Sequence, residues 1–156
     1  MTQTNERWGT DLHLLRNLEQ QNDRDRSHDL LIKVRQQTQQ VDLDLLSGAE
    51  NLIQALLLRF LTPVGELALL GHPDYGSRLF ELLGERNTET NRNRAKLFVL
   101  QALAQEPRVK QVISVKVTQN RSRPTQMDIQ VSLIPIDSDT ALNLVFPFFL
   151  EGGVSP

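Results

Sequence analysis

The spacing of apolar residues changes period at one corner of the chain, Glu106-Pro107-Arg108, and that change restricts the folds open to it. Before the corner, Ala95, Phe98, Val99, Ala102 and Leu103 recur three and four residues apart, one face of a helix that stops ahead of Pro107. After it, Val109, Ile113, Val115 and Val117 alternate with Lys110, Ser114, Lys116 and Thr118, the pattern of a half-buried strand, with a local break at Gln111 and Val112. Met127, Ile129, Val131 and Leu133 then oppose Asp128, Gln130 and Ser132, and Leu142, Leu144, Phe146 and Phe148 follow. Polar turns, Gln119 to Thr125 and Asp137 to Thr140, separate the three runs. Strands joined so closely imply an antiparallel meander with its apolar face against the preceding helices, an α+β fold with helices on one face of a small C-terminal sheet.

Helix signals precede the corner. Ser47-Gly48-Ala49-Glu50 has capping-box spacing, which sets a helix start. Leu52, Ile53, Leu56, Leu57, Phe60 and Leu61 form its apolar face, Asn51 and Gln54 lie elsewhere on the wheel, and Thr62-Pro63 ends it. Val64 to Tyr75 carries Gly65, Gly71, Pro73 and Asp74, too much punctuation for a helix, and reads as a structured connector. Ser77 to Leu83 predicts a short helix with Gly84 as its positive-φ cap, and Thr88 or Thr90 caps the next one. Further upstream, Asp11 to Leu18 fits a short strand or a helical turn. Gln20 to Asp29 reads as a solvated loop, and Leu30 to Val34 with Val41 to Leu45 as a hairpin. The expected organisation is an extended N-terminal region, residues 1–46, followed by one α+β domain, residues 47–156.

Composition removes several chemistries. The 156 residues include no cysteine, which excludes disulfides, thiolate nucleophiles and thiolate metal sites. Net charge is -2, so no global positive field recruits nucleic acid. The chain's start lacks a signal-peptide pattern and no apolar run has bilayer length, so a cytoplasmic protein without membrane insertion is expected. His13, His28 and His72 have no metal-motif spacing, no nucleophile elbow or phosphate loop occurs, and no cofactor is expected. Glu66, Asp74 and Glu81 cluster near the connector, where two acids of separated pKa would suit glycoside hydrolysis, but surface acids are common there. Arg92, Arg94 and Lys96, with Lys110, Lys116, Arg121 and Arg123, read as a solvated face.

Two features point to docking. The last strand has apolar groups on its second face, Val145 and Phe149, and Pro147 suits an edge; such an edge accepts a partner's strand, unless the N-terminal segments fold over it. The Glu106-Pro107-Arg108 corner projects opposite charges from neighbouring positions, for an internal salt bridge or for a partner contact.

Four ordered blocks carry a resemblance: Glu50 to Leu56, Leu61-Thr62-Pro63-Val64-Gly65-Glu66-Leu67, His72-Pro73-Asp74-Tyr75-Gly76-Ser77-Arg78-Leu79, and Glu106-Pro107-Arg108-Val109. Together they resemble the small baseplate wedge proteins, or sheath initiators, of contractile phage tails, type VI secretion and extracellular contractile injection systems. The resemblance fades over residues 1–40 and in the final strands, and Leu67 stands where the family commonly has arginine. It implies a non-enzymatic subunit, several copies to a ring, held by larger baseplate wedge proteins and presenting strands to sheath subunits, with tube or hub proteins nearby. It implies interface roles for Glu106, Pro107 and Arg108 at the corner and for Leu144, Phe146, Phe148 and Phe149 in the last strand. Cytoplasmic assembly into a tail-like particle follows, and deletion of Leu142 to Pro156 is expected to weaken sheath attachment while sparing wedge binding. Part of this family is labelled lysozyme-like, which keeps peptidoglycan hydrolysis as the alternative.

Overall fold

The computed structural model describes residues 9–12, 32–34, 41–43 and 45–151. The chain divides into two compact units, residues 1–54 and 55–156.

In the first unit, β1 (Thr10–Leu12) pairs antiparallel with β4 (Leu45–Ser47), and β2 (Ile32–Val34) with β3 (Val41–Leu43). The second pair is the expected hairpin, in the register Ile32↔Leu43 and Val34↔Val41. Pairing of β1 with β4 was not foreseen, because each strand is too short to alternate visibly. The loop expected at Gln20 to Asp29 lies outside the described residues, as do His13 and His28.

Helix α1 (Gly48–Leu61) begins and ends where the sequence places it. Thr62 closes it, donating its N–H at 3.0 Å and its hydroxyl at 2.6 Å to the Leu58 carbonyl, and Pro63 prevents further helix. Leu52, Leu56, Leu57 and Phe60 are buried, but Leu61 is exposed, and Asn51 and Gln54, expected off the apolar face, are buried as well. The buried arc is therefore wider than the hydrophobic pattern.

In the second unit, the connector forms turns and a short 3-10 segment, Ala68–Leu70, and a second 3-10 segment occupies Leu79–Leu82. Leu79 and Leu82 are fully buried while Phe80 and Leu83 are exposed, since three residues per turn leave room for one inward row. Gly84 has the expected positive φ of 83°, yet its N–H is donated to the Leu150 carbonyl at 2.7 Å and not back into the turn. Thr88 caps α2 (Glu89–Ala104), its hydroxyl accepting from the Asn91 N–H at 3.2 Å. The whole expected face of α2 is buried: Ala95, Phe98, Val99, Ala102 and Leu103.

Strands β5 (Val109–Gln119), β6 (Gln126–Pro135) and β7 (Leu142–Phe149) form an antiparallel sheet in the order β5-β6-β7. Cross-strand rows Val115↔Val131↔Leu144 and Val117↔Ile129↔Phe146 place apolar side chains on one face. Helix α2 lies against β5 on that face, and the Phe60 ring of α1 stacks on Phe146 with centroids 5.2 Å apart and planes 12° apart. Burying side chains of this size contributes roughly 1.5–3 kcal/mol each, so this layer dominates the unit's stability. The α+β architecture is as expected. One inward position differs: Ile113 is 51% exposed and Val112 takes its place, because register shifts between Val109 and Gln111 and between Val112 and Ser114 each reset the alternation.

Candidate functional site

The helix-to-strand corner and the last strand are the two places where the sequence pointed to docking, and the structure treats them differently. At the corner, Gln105 ends α2, Glu106 turns inward with its side chain 3% exposed, and Pro107 stands exposed. The Glu106 carboxylate accepts from Arg108 three times: from the backbone N–H at 3.2 Å and Nε at 2.7 Å on Oε1, and from Nη2 at 3.2 Å on Oε2. Arg59, from the last turn of α1, adds its Nη2 to Oε2 at 3.1 Å. One carboxylate is thus clamped between two guanidinium groups that come from sequence positions far apart.

Arg59 escaped the sequence reading. Its signal was present, a basic residue set between Leu57 and Phe60 on an apolar helix, where a solvated arginine has no place. Its side chain is 10% exposed, and its Nε has no hydrogen-bond acceptor among the described residues. The guanidinium is instead held against the Tyr75 ring, 4.6 Å from the centroid. Burial pushes the Glu106 carboxyl up, but the hydrogen bonds and charge of Arg108, with the charge of Arg59, outweigh it and hold the group below the ordinary glutamate range. Burial raises the Tyr75 hydroxyl above its ordinary value, opposed by Arg59.

The connector brings Tyr75 to this corner by a backbone clasp. Ser77 donates its N–H to the Thr62 carbonyl at 2.8 Å and accepts from the Val64 N–H at 3.0 Å, closing the loop between them. Its hydroxyl donates to the Phe60 carbonyl at 2.5 Å. Gly76 sits at φ 112°, and a Cβ there would lie 2.4 Å from the Thr62 carbonyl oxygen, so glycine alone fits. This accounts physically for the Thr62-Pro63-Val64 and Tyr75-Gly76-Ser77 blocks: they build the clasp and present Tyr75 to Arg59.

The last strand is an edge, as expected. Pro147 lies opposite Asp128 in the middle of the β6–β7 register. Having no N–H, it keeps the ladder intact only with its nitrogen turned away from β6. By alternation, the backbone groups of Val145 and Phe149 face the same side, where the described residues add no fourth strand, although Pro147 between them is buried. The side chains named from the sequence sit differently. Leu144, Phe146 and Phe148 are buried in the protein's own core and Phe149 is half-buried, whereas Val145 is 54% exposed. Of the outward positions, Val145 is therefore the one this strand leaves exposed to a partner. Deleting Leu142 to Pro156 would remove the Phe146 that stacks on Phe60, so that deletion tests folding before attachment.

The acids near the connector do not converge on a cleft. Glu66 and Asp74 are exposed, and Glu81 is held by Arg78 at 2.5 and 3.1 Å, an ion pair that lowers its pKa. Among the described residues, no three His, Cys, Asp or Glu side chains group as metal ligands, and no helix is long and apolar enough to cross a membrane.

No protein-family model matches the chain, and no curated protein matches it significantly. Among solved structures, it is similar to a protein of Geobacter sulfurreducens named a "putative tail lysozyme", with a TM-score of 0.59 and 25% identity. The match covers 70% of this chain and 97% of that one, so nearly the whole neighbour corresponds to part of this molecule.

Proposed function

We propose that this chain is a structural subunit of a phage-tail-like contractile particle, a small baseplate wedge protein that joins larger wedge proteins to the first ring of sheath and starts sheath assembly. The observation that carries the reading is the fold similarity to a tail protein along 97% of that protein's length. The four sequence blocks support the finer assignment, and three of them build the Thr62–Ser77 clasp and the Glu106 corner.

A glycosidase acid must be held protonated near neutral pH, which requires a raised pKa. Glu106, the buried acid of the second unit, is shifted the other way by two arginines, and Glu81 is also lowered. Neither of these two acids is therefore held as the protonated acid of a glycosidase site. In the proposed role, rearrangement of the wedge proteins moves this subunit, and its β7 edge passes the movement to a strand of the sheath. The corner contributes Pro107 and the outer part of Arg108 to wedge contact, while Glu106 orients Arg108 from within.

The test is isolation of the tagged protein from a producer of assembled particles, with identification of stoichiometric partners. Sheath and larger wedge proteins are expected. Recovery of the protein alone, together with clearing of purified peptidoglycan that is lost on substituting one acidic residue, would replace this reading with hydrolysis.

A further inference from the structure

The connector carries apolar surface that neither the clasp nor the Glu106 corner uses. Residues 64–76 leave and re-enter the fold at one point, where the 3.0 Å bond from the Val64 N–H to the Ser77 carbonyl joins their ends, so they form a compact closed loop. Backbone bonds of 3.0–3.1 Å hold its interior: the Glu66 N–H donates to the Pro63 carbonyl, Ala68 to Gly65, Gly71 to Ala68, and both Leu70 and His72 to Leu67. Leu67 is half-buried, but the 3-10 segment Ala68–Leu70 buries nothing: Leu69 is 100% exposed and Leu70 74%. Leu61 and Val64, near the loop's base, are exposed as well. A single exposed leucine is ordinary, whereas two in succession on a hydrogen-bonded turn are held out in water by the backbone itself.

The loop's charge is one-sided. Between Arg59 and Arg78 the chain has no lysine or arginine. Glu66 and Asp74, one before and one after the leucines, are exposed, and neither carboxylate makes an ion pair among the described residues. Arg78, the next cation along the chain, is already taken by Glu81. These charges select the occupant. A second copy docked about a two-fold axis would set the same acids against each other, and two leucines supply far less than the roughly 800 Å² per partner of a stable interface. An anionic lipid surface would also repel the acids, and apolar groups that enter such surfaces are accompanied by lysine or arginine. A concave protein surface with an apolar floor and a basic rim satisfies both the leucines and the carboxylates, with the leucines as the anchor of a wider contact.

We propose that the loop of residues 64–76 is a docking knob: Leu69 and Leu70 enter an apolar pocket on a partner protein, and lysine or arginine at the pocket's rim meets Glu66 and Asp74. The clasp at Thr62 and Ser77 fixes the base of the knob, so its leucines are presented to the partner in one orientation.

The test is photocrosslinking from a diazirine-bearing amino acid placed at position 69 of the full chain, in cells of the native producer, with the crosslinked peptides mapped by mass spectrometry. The expected product joins position 69 to apolar residues of a different protein, in a pocket whose rim carries lysine or arginine. Its yield should fall about fivefold or more when the same chain carries Leu70→Asp or Glu66→Lys/Asp74→Lys. All three residues are exposed, so each variant's thermal midpoint should stay within about 2 °C of the parent's; Glu66→Gln/Asp74→Asn, expected to crosslink at an intermediate level, serves if charge reversal prevents folding. Crosslinking into such a pocket on a protein that is neither wedge nor sheath would support the knob while counting against the assembly role. The inference is overturned if position 69 crosslinks to a second copy of this chain or to lipid, if the partner's surface is polar or acidic, if charge reversal leaves the yield unchanged, or if no crosslink forms.

Discussion

The Glu106 clamp makes a quantitative claim that a double-mutant cycle tests. Arg59→Met keeps most of the buried stem but removes the 3.1 Å bond to Oε2 and the contact with the Tyr75 ring. Loss of one charge-assisted hydrogen bond costs about 1.5–3 kcal/mol, and Arg108 still holds the carboxylate, so roughly 2–3 kcal/mol is expected. Glu106→Gln should cost more, roughly 3–5 kcal/mol, because it leaves Arg59 buried without a counter-charge and turns an amide NH₂ toward arginine donors. Removing both together discards the charge that needed a partner along with the partner. The double variant should therefore be less destabilised than the sum of the singles by about 1–3 kcal/mol, read from urea melts at neutral pH. Acid supplies a second readout. Because the native pKa of Glu106 lies below its ordinary value of 4.5, the unfolded chain binds the proton first as pH falls. The clamp's contribution is complete above about pH 4.5 and declines below it, so wild type and Glu106→Gln should converge in stability as pH drops through that range. Additivity within about 0.5 kcal/mol, or a stability gap that ignores pH, would refute the claim that the carboxylate is held by charge at this corner.

Other outcomes follow from the same geometry. Gly76→Ala should destabilise by about 2 kcal/mol or more in thermal melts, since its Cβ meets backbone at 2.4 Å; Gly84→Ala, with φ 83° and open space around it, should cost only about 1 kcal/mol. Tyr75 is the sole tyrosine, so ultraviolet titration reports it alone, and its midpoint should lie above 10 in the native protein and return toward 10 on unfolding. With the hydroxyl raised, the unfolded chain ionises first, so this group costs stability as pH rises past 10, a loss absent from Tyr75→Phe. For the β7 edge, Val145→Pro removes an outward donor and Val145→Lys adds an edge charge; both should leave a folded monomer but impair sheath attachment in electron micrographs. Normal attachment by both would overturn the proposed use of that edge.

Most of the second unit was legible because its elements are long enough for period to show. Ten residues of β6 give Met127, Ile129, Val131 and Leu133 four inward turns in succession, and α2 repeats its apolar face from Ala95 to Leu103, about two and a half turns. Legibility failed where a local rule was overruled by something remote. Ile113 alternates correctly in sequence, but the bulges on β5 are set by pairing with β6, which composition does not encode locally. Asn51, Gln54 and Arg59 are polar by type and buried by context, and Arg59 meets Glu106 and Tyr75, which no window around α1 contains. The candidate site divides the same way. Glu106 and Arg108 stand out because they flank a proline, whereas Arg59 and Tyr75 reach them only through the chain's return, and Gly76 reads as loop until its contact with Thr62 is seen.

In the proposed role, the clamp also bears on how displacement would be transmitted. Arg59 and Phe60 are consecutive residues in the last turn of α1, yet they anchor it to different parts of the second unit. Arg59 reaches the Glu106 corner, from which β5 departs, and Phe60 stacks on Phe146 in the middle of β7. Side chains packed at interior density and bound by short charged contacts deform little, so in the proposed role a load applied to β7 would pass into α1 at Phe60 and on to the corner at Arg59. In that role, rigidity would favour buried charge over an apolar residue at the joint. A methionine at position 59 would fill the same space, but contacts between apolar surfaces slide, whereas a carboxylate shared by two guanidinium groups has one geometry in which its hydrogen bonds are made. In the proposed role, Arg59→Met particles should therefore assemble sheath yet trigger contraction less completely, a loss visible as a raised fraction of extended sheaths after a uniform stimulus. An unchanged contracted fraction, in particles whose isolated subunit shows the expected destabilisation, would confine the clamp to folding and leave force transmission to the Phe60–Phe146 contact alone.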